Sequence, residues 1–150
     1  MNLQMTKTII PLKQIQIETS GYHLLIPASI KNHDVFLILD TGASQSIFDT
    51  NAIAFADIIL QEPESPCASS GINAPLTDIE TGLIDEIKLG SFVITNLEAL
   101  FMPLEHINNL YQKYTSHEIA GIIGGDLLQK HGAIINYTSS ELVLCAKRPD

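Results

Sequence analysis

The run Val35-Phe36-Leu37-Ile38-Leu39 leads directly, with no polar residue between, into Asp40-Thr41-Gly42. Five successive apolar residues do not alternate, so the segment reads as a strand buried on both faces. A carboxylate at the end of such a strand is costly to bury unless hydrogen bonds or chemistry make use of it. The fold must therefore cover this strand from two sides and still place Asp40 where its charge is tolerated. Composition permits this, since 45% of the residues are apolar and 17% charged. That is enough for a core, and too few charges for a disordered chain. A length of 150 residues fits one domain over residues 1–150.

Around this strand the pattern is mostly β. Ile15-Gln16-Ile17-Glu18-Thr19 alternates strictly, and residues 22–30 are apolar with one Pro27. Lys31-Asn32-His33-Asp34 then supplies a polar turn, which gives three strands up to Asp40. Beyond the Gly-containing loop, Ser46-Ile47-Phe48 is a short apolar stretch, and residues 51–55 fit a helical turn. Residues 61–76 hold Pro63, Pro66, Ser69, Ser70, Gly71, Asn73 and Pro75, the richest turn region of the chain. Residues 77–89 and 92–101 read as strands about a Gly90-Ser91 turn, and residues 104–114 as helical. A helix over 126–131 and short strands over 133–137 and 141–144 close the chain.

Asp-x-Gly alone has two readings. The carboxylate can accept backbone N–H groups at a turn, or it can be a reactive group whose orientation the loop fixes. The wider wording bears on the choice. An apolar strand ending in Asp40-Thr41-Gly42-Ala43 is followed far downstream by Ile122-Ile123-Gly124-Gly125-Asp126-Leu127-Leu128. The two segments, in this order and at this separation, resemble the retropepsin-like aspartic peptidases, and the resemblance extends over residues 14–145.

The resemblance implies an all-β, partly open barrel with a flap hairpin and one short helix after Gly124, whose downstream strand crosses beneath the active-site loop. It makes Asp40 the catalytic carboxylate and Thr41, Gly42 and Ala43 its loop, with Thr41 bonding across a dimer axis. It puts Ser70, Gly71 and Ile72 in the flap over a peptide or protein substrate. In such enzymes two close carboxylates share a proton, one activating water and the other protonating the substrate carbonyl. This chain has a single Asp-Thr-Gly, so the second carboxylate would come from a second copy across a twofold axis. Glu80-Thr81-Gly82 looks superficially similar but lacks a buried strand leading into it. Two features depart from the family. Gly125 stands where many members have an Arg that braces the dimer, and the extra length falls in residues 98–118. Ala43 also lacks the hydroxyl that pepsin-like members often carry at this position. Without that donor the pair keeps its shared proton to higher pH, and a mildly acidic optimum of about pH 5–6 is expected.

Other functions fit less well. A net charge of −9 repels nucleic acid, and no apolar run approaches the roughly 20 residues that span a bilayer. The segment 1–18 lacks the apolar stretch of a signal peptide, an expectation of a cytoplasmic protein. Five histidines without ligand spacing, and Cys67 and Cys145 outside any CxxC pair, suggest no metal. Gly121-Ile122-Ile123-Gly124-Gly125 lacks the Lys and Ser or Thr of a P-loop, so no cofactor is expected. Haloacid dehalogenase-type phosphotransferases would need a second Asp where Gly42 stands. The serious alternative to a peptidase is a peptide-binding or dimerisation module on the same fold, without turnover.

Overall fold

The computed structural model describes residues 5–63 and 78–147. Within these residues the strands are β1 (Met5–Pro11), β2 (Lys13–Ile17), β3 (Gly21–Ile30), β4 (His33–Leu39), β5 (Ile47–Asp49), β6 (Glu80–Leu89), β7 (Phe92–Met102), β8 (Ile119–Ile123), β9 (Ile134–Asn136) and β10 (Glu141–Lys147). Helices α1 (Glu105–Tyr111) and α2 (Gly125–Lys130) flank β8, and a single 3-10 turn covers Ala54–Ala56. The helix expected after Gly124 is α2. A second, α1, lies in the stretch that also reads as helical. None of the described helices is long and apolar enough to cross a membrane.

The larger sheet runs β2-β3-β4-β8-β5-β7-β6, and a further β3–β6 pairing through Ala28↔Leu89, Ser29↔Lys88 and Ile30↔Ile87 closes six of these strands into a barrel. The closure is short, and Pro27 explains where it starts: without an N–H, Pro27 cannot donate to a neighbouring strand. Its carbonyl instead accepts the N–H of Gly90 (2.8 Å) in the β6–β7 turn. The β3–β4 hairpin turns on Lys31 and Asn32, both with positive φ, the geometry that matches strand twist in a two-residue loop. Lys31 Nζ donates to the carbonyl of Ala56 (2.6 Å) and holds this turn against the 3-10 segment.

β4 is covered on both faces. Val35 and Leu37 belong to the barrel core with Leu24, Ile26, Phe48 and Phe101. Phe36 and Ile38 belong to a second cluster with Ile15, Ile17, Leu25, Ile119 and Tyr111, which α1 and β2 cover. This is why the strand reads as an uninterrupted apolar run. β1 pairs with β10 and β10 with β9 in a separate three-stranded sheet. Local pattern gave no sign of β1, because its pairing partner lies at the far end of the chain.

Candidate active site

Asp40 follows β4, and its position is set by β8. The two strands are parallel, with Leu37↔Gly121, Ile38↔Ile122 and Leu39↔Ile123 in register. The N–H of Asp40 extends this ladder by donating to the carbonyl of Ile123 (3.0 Å). On its other side β8 pairs antiparallel with β5 through Ile47↔Ile122 and Phe48↔Gly121. The strand therefore passes between the two that carry the ends of the Asp40 loop. Gly121 and Gly124 make that crossing possible. A Cβ on Gly121 would sit 2.5 Å from the carbonyl oxygen of Ile47, and one on Gly124 would sit 2.5 Å from that of Ala43.

The loop itself is fixed by backbone hydrogen bonds. The N–H of Ala43 donates to the carbonyl of Asp40 (3.2 Å), and the N–H of Gly42 donates to Asp40 Oδ1 (2.9 Å). The turn reading of Asp-x-Gly is thus realised, and it holds the carboxylate in one orientation while the residue stays exposed. Gly42 keeps this contact free of crowding: a Cβ there would lie 3.2 Å from Asp40 Oδ1, close enough that the carboxylate would have to shift slightly. The N–H of Gly125 donates to the carbonyl of Ala43 (2.7 Å), so the residue in place of an Arg still serves the loop through its backbone. Among the described residues no side-chain group reaches the Thr41 hydroxyl, and Thr41 is exposed beside Asp40.

Two residues that sequence reasoning did not single out complete the support. Ser46 is buried; its Oγ donates to Asp126 Oδ1 (2.7 Å) and accepts from the N–H of Gly124 (2.9 Å). Asp126 Oδ1 also accepts the N–H groups of Ser46 (2.9 Å) and Leu127 (2.8 Å). The start of α2 is thereby tied to the far end of the Asp40 loop. The available signal was a Ser before an apolar strand and an Asp after Gly-Gly, types too common to stand out. Glu80 and Thr81 lie in β6, where Thr81 exchanges backbone hydrogen bonds with Gln61 (2.7 and 2.8 Å). A Cβ on Gly82 would press on Ile58 and Phe101. Ser70, Gly71 and Ile72, expected in the flap, lie outside the described residues.

On the outer side of the loop, a cavity of about 450 Å3 includes Asp40, Thr41, His23 and Tyr111 in its lining. Tyr111 is buried on α1, and its hydroxyl lies 2.6 Å from His23 Nδ1. Burial, followed by the negative charge of Asp40, pushes the phenol up to about 12. It remains protonated throughout the neutral and acidic range.

A family model described as aspartyl protease matches residues 26–127, which include both the Asp40 loop and the β8 crossing. The chain belongs to the aspartyl protease family. Solved structures agree on the fold. A retropepsin-like aspartic protease from Rickettsia conorii superposes with a TM-score of 0.51 at 15% identity, over 95% of this chain and 91% of that one. The retroviral protease-like domain of Ddi1 from Leishmania major gives a TM-score of 0.54 at 17% identity, over 85% of this chain and 94% of that one. No curated protein matches the sequence. The β4–β8–β5 crossing is the strand expected beneath the Asp40 loop, and the barrel is of the retropepsin-like kind.

Proposed function

We propose that the protein is an aspartic endopeptidase that works as a homodimer, with one Asp40 from each copy. The observation that carries this reading is the exposed carboxylate of Asp40, held by the N–H of Gly42 at the tip of a loop that β8 and α2 brace from below. An exposed carboxylate with a fixed orientation and no cation bonded to it within the described residues can face its twofold copy. Two such groups cannot both ionise at close range, so one keeps a proton. The ionised partner takes a proton from water, which attacks the peptide carbonyl, and the protonated partner supplies a proton to the carbonyl oxygen. Thr41, exposed beside Asp40, would bond to the facing loop in this reading. Gly125 offers no side chain to brace the pair, so in this reading the dimer rests on the loops and strands.

The test is Asp40→Asn. Peptide cleavage is expected to vanish while the thermal unfolding curve and the light-scattering mass stay as in the wild type, because an amide cannot activate water. Wild-type turnover in that variant would sink the assignment. A wild-type protein that stays monomeric at all concentrations yet cleaves would sink the shared-carboxylate mechanism. If peptides bind to the cleft without any cleavage, the non-catalytic binding module on this fold is the better reading.

A further inference from the structure

The cavity beside Asp40 is walled by apolar side chains from three directions: Ile38 on β4, Ile107 on α1 and Ile122 on β8. Tyr22, Leu110 and Tyr137, among the large apolar side chains this fold leaves exposed, also line it. An apolar recess rimmed by exposed aromatic groups is suited to a ligand side chain. Its polar wall is the Tyr111–His23 pair, whose rings meet edge-on at 5.6 Å. Tyr111 is only 4% exposed, and its hydroxyl has one hydrogen-bond partner among the described residues, His23 Nδ1. With His23 neutral, the buried phenol proton, which needs an acceptor, finds one in a bare Nδ1. The neutral imidazole then carries its proton on Nε2, as a donor not used by the described part of the fold.

We propose that this cavity receives the substrate side chain next to the scissile bond, and that the Tyr111–His23 pair makes it select a large uncharged side chain ending in a hydrogen-bond acceptor, tyrosine in preference to phenylalanine. The apolar walls take the ring, and the Nε2–H takes the terminal oxygen. A phenyl group would fill the same space and leave that N–H without water or partner, a loss that discriminates against it. A glutamate could accept the bond, but while His23, the one basic side chain in the cavity's described lining, is neutral, nothing there offsets the field of Asp40 that it would enter. Tyr111 acts as a positioning residue, since it fixes which imidazole nitrogen is protonated. The proposal deepens the peptidase reading and rests on it only for the ligand being a peptide.

The test uses peptides in which the scissile amide is replaced by a hydroxyethylene group, identical except for Tyr, Phe or Glu beside it, together with their cleavable amide counterparts. Wild-type protein should bind the Tyr peptide about 3–10-fold more tightly than the Phe peptide, the range of one neutral hydrogen bond, and the Glu peptide most weakly. In His23→Leu the Tyr-to-Phe ratio should fall to about one. In Tyr111→Phe, which keeps the ring packing and frees Nδ1, the ratio should shrink, and this variant decides the matter if His23→Leu does not fold. An unchanged ratio in the variants, a wild-type preference for Phe, or binding of none of the peptides overturns the proposal. Selective binding without cleavage of the amide peptides supports the subsite and removes the peptidase reading. Cleavage with no Tyr-to-Phe preference does the reverse.

Discussion

At Gly124 the site depends on the absence of a single carbon atom. The atom that a Cβ would meet at 2.5 Å is a backbone oxygen, that of Ala43, and the backbone of Gln45 follows at 3.0 Å. Neither can swing away as a long side chain would. Gly124→Ala should therefore push the Asp40 loop off β8, at a stability cost of about 1–3 kcal/mol and with loss of peptide cleavage. Gly125→Ala is the control, since its Cβ would find ordinary contacts at 3.6 and 3.8 Å. Equal melting curves for the two variants would contradict this account of the crossing. One position earlier in the loop's support, Ala43 offers Asp40 a backbone N–H but no hydroxyl. Ala43→Ser adds a donor that favours the ionised form of the carboxylate pair. The acidic limb of the cleavage profile should then move to lower pH, and an unmoved limb would show that the hydroxyl does not reach the pair.

α1 is secured to the barrel by a polar network more than by length. At seven residues it is too short to be stable alone. Asp49, 2% exposed at the end of β5, accepts the N–H of Asn51 (3.0 Å) and of Leu104 (3.3 Å) and the Nδ2 of Asn108 (2.6 Å). Asn108 also donates to the carbonyl of Ile119 (2.9 Å) and accepts its N–H (2.9 Å). One amide thus links α1 to β5 and β8, and it keeps Tyr111 at the edge of the Asp40 cavity. Asn108→Ala should leave Asp49 and both backbone groups of Ile119 short of partners, costing about 1–3 kcal/mol. At roughly 2–4 °C per kcal/mol for a chain of this size, calorimetry should show a drop of several degrees. A midpoint within a degree of wild type would mean that water replaces the amide. The sequence reads as helical over residues 104–114, but it gave no reason to pair Asn108 with Asp49, since both are ordinary polar residues until the fold buries them.

For the molecule as a whole, the acid range sets two tendencies against each other. His131, at the end of α2, packs edge-on against Phe92 (5.1 Å), and its Nε2 is buried without a hydrogen-bond partner. Burial, then the charge of Lys130, lowers its pKa below the usual 6.5, with the backbone of Cys145 pulling more weakly the other way. The unfolded chain therefore takes up a proton first as pH falls. The stability tied to neutral His131 is intact above about pH 6.5 and is lost as pH drops through the lower folded value. Thermal midpoints should decline below that pH, and His131→Phe should flatten the decline; parallel curves for the two proteins would exclude His131 as its cause. An enzyme with a mildly acidic optimum would then gain activity where its fold loses stability. The sequence by itself determined the strand into Asp40, the alternation of β2, the turns at Lys31-Asn32 and Gly90-Ser91, and the pairing of two motifs that marks the family. These are legible because they depend on local periodicity and on residue types that tolerate few substitutes. Only the tertiary structure decided that β1 joins β10, that Ser46 and Asp126 brace the loop, and that His23 meets Tyr111. The reason is physical: each is a contact between segments far apart in the chain, and the identity of a Ser, an Asp or a His does not say which partner burial will bring to it.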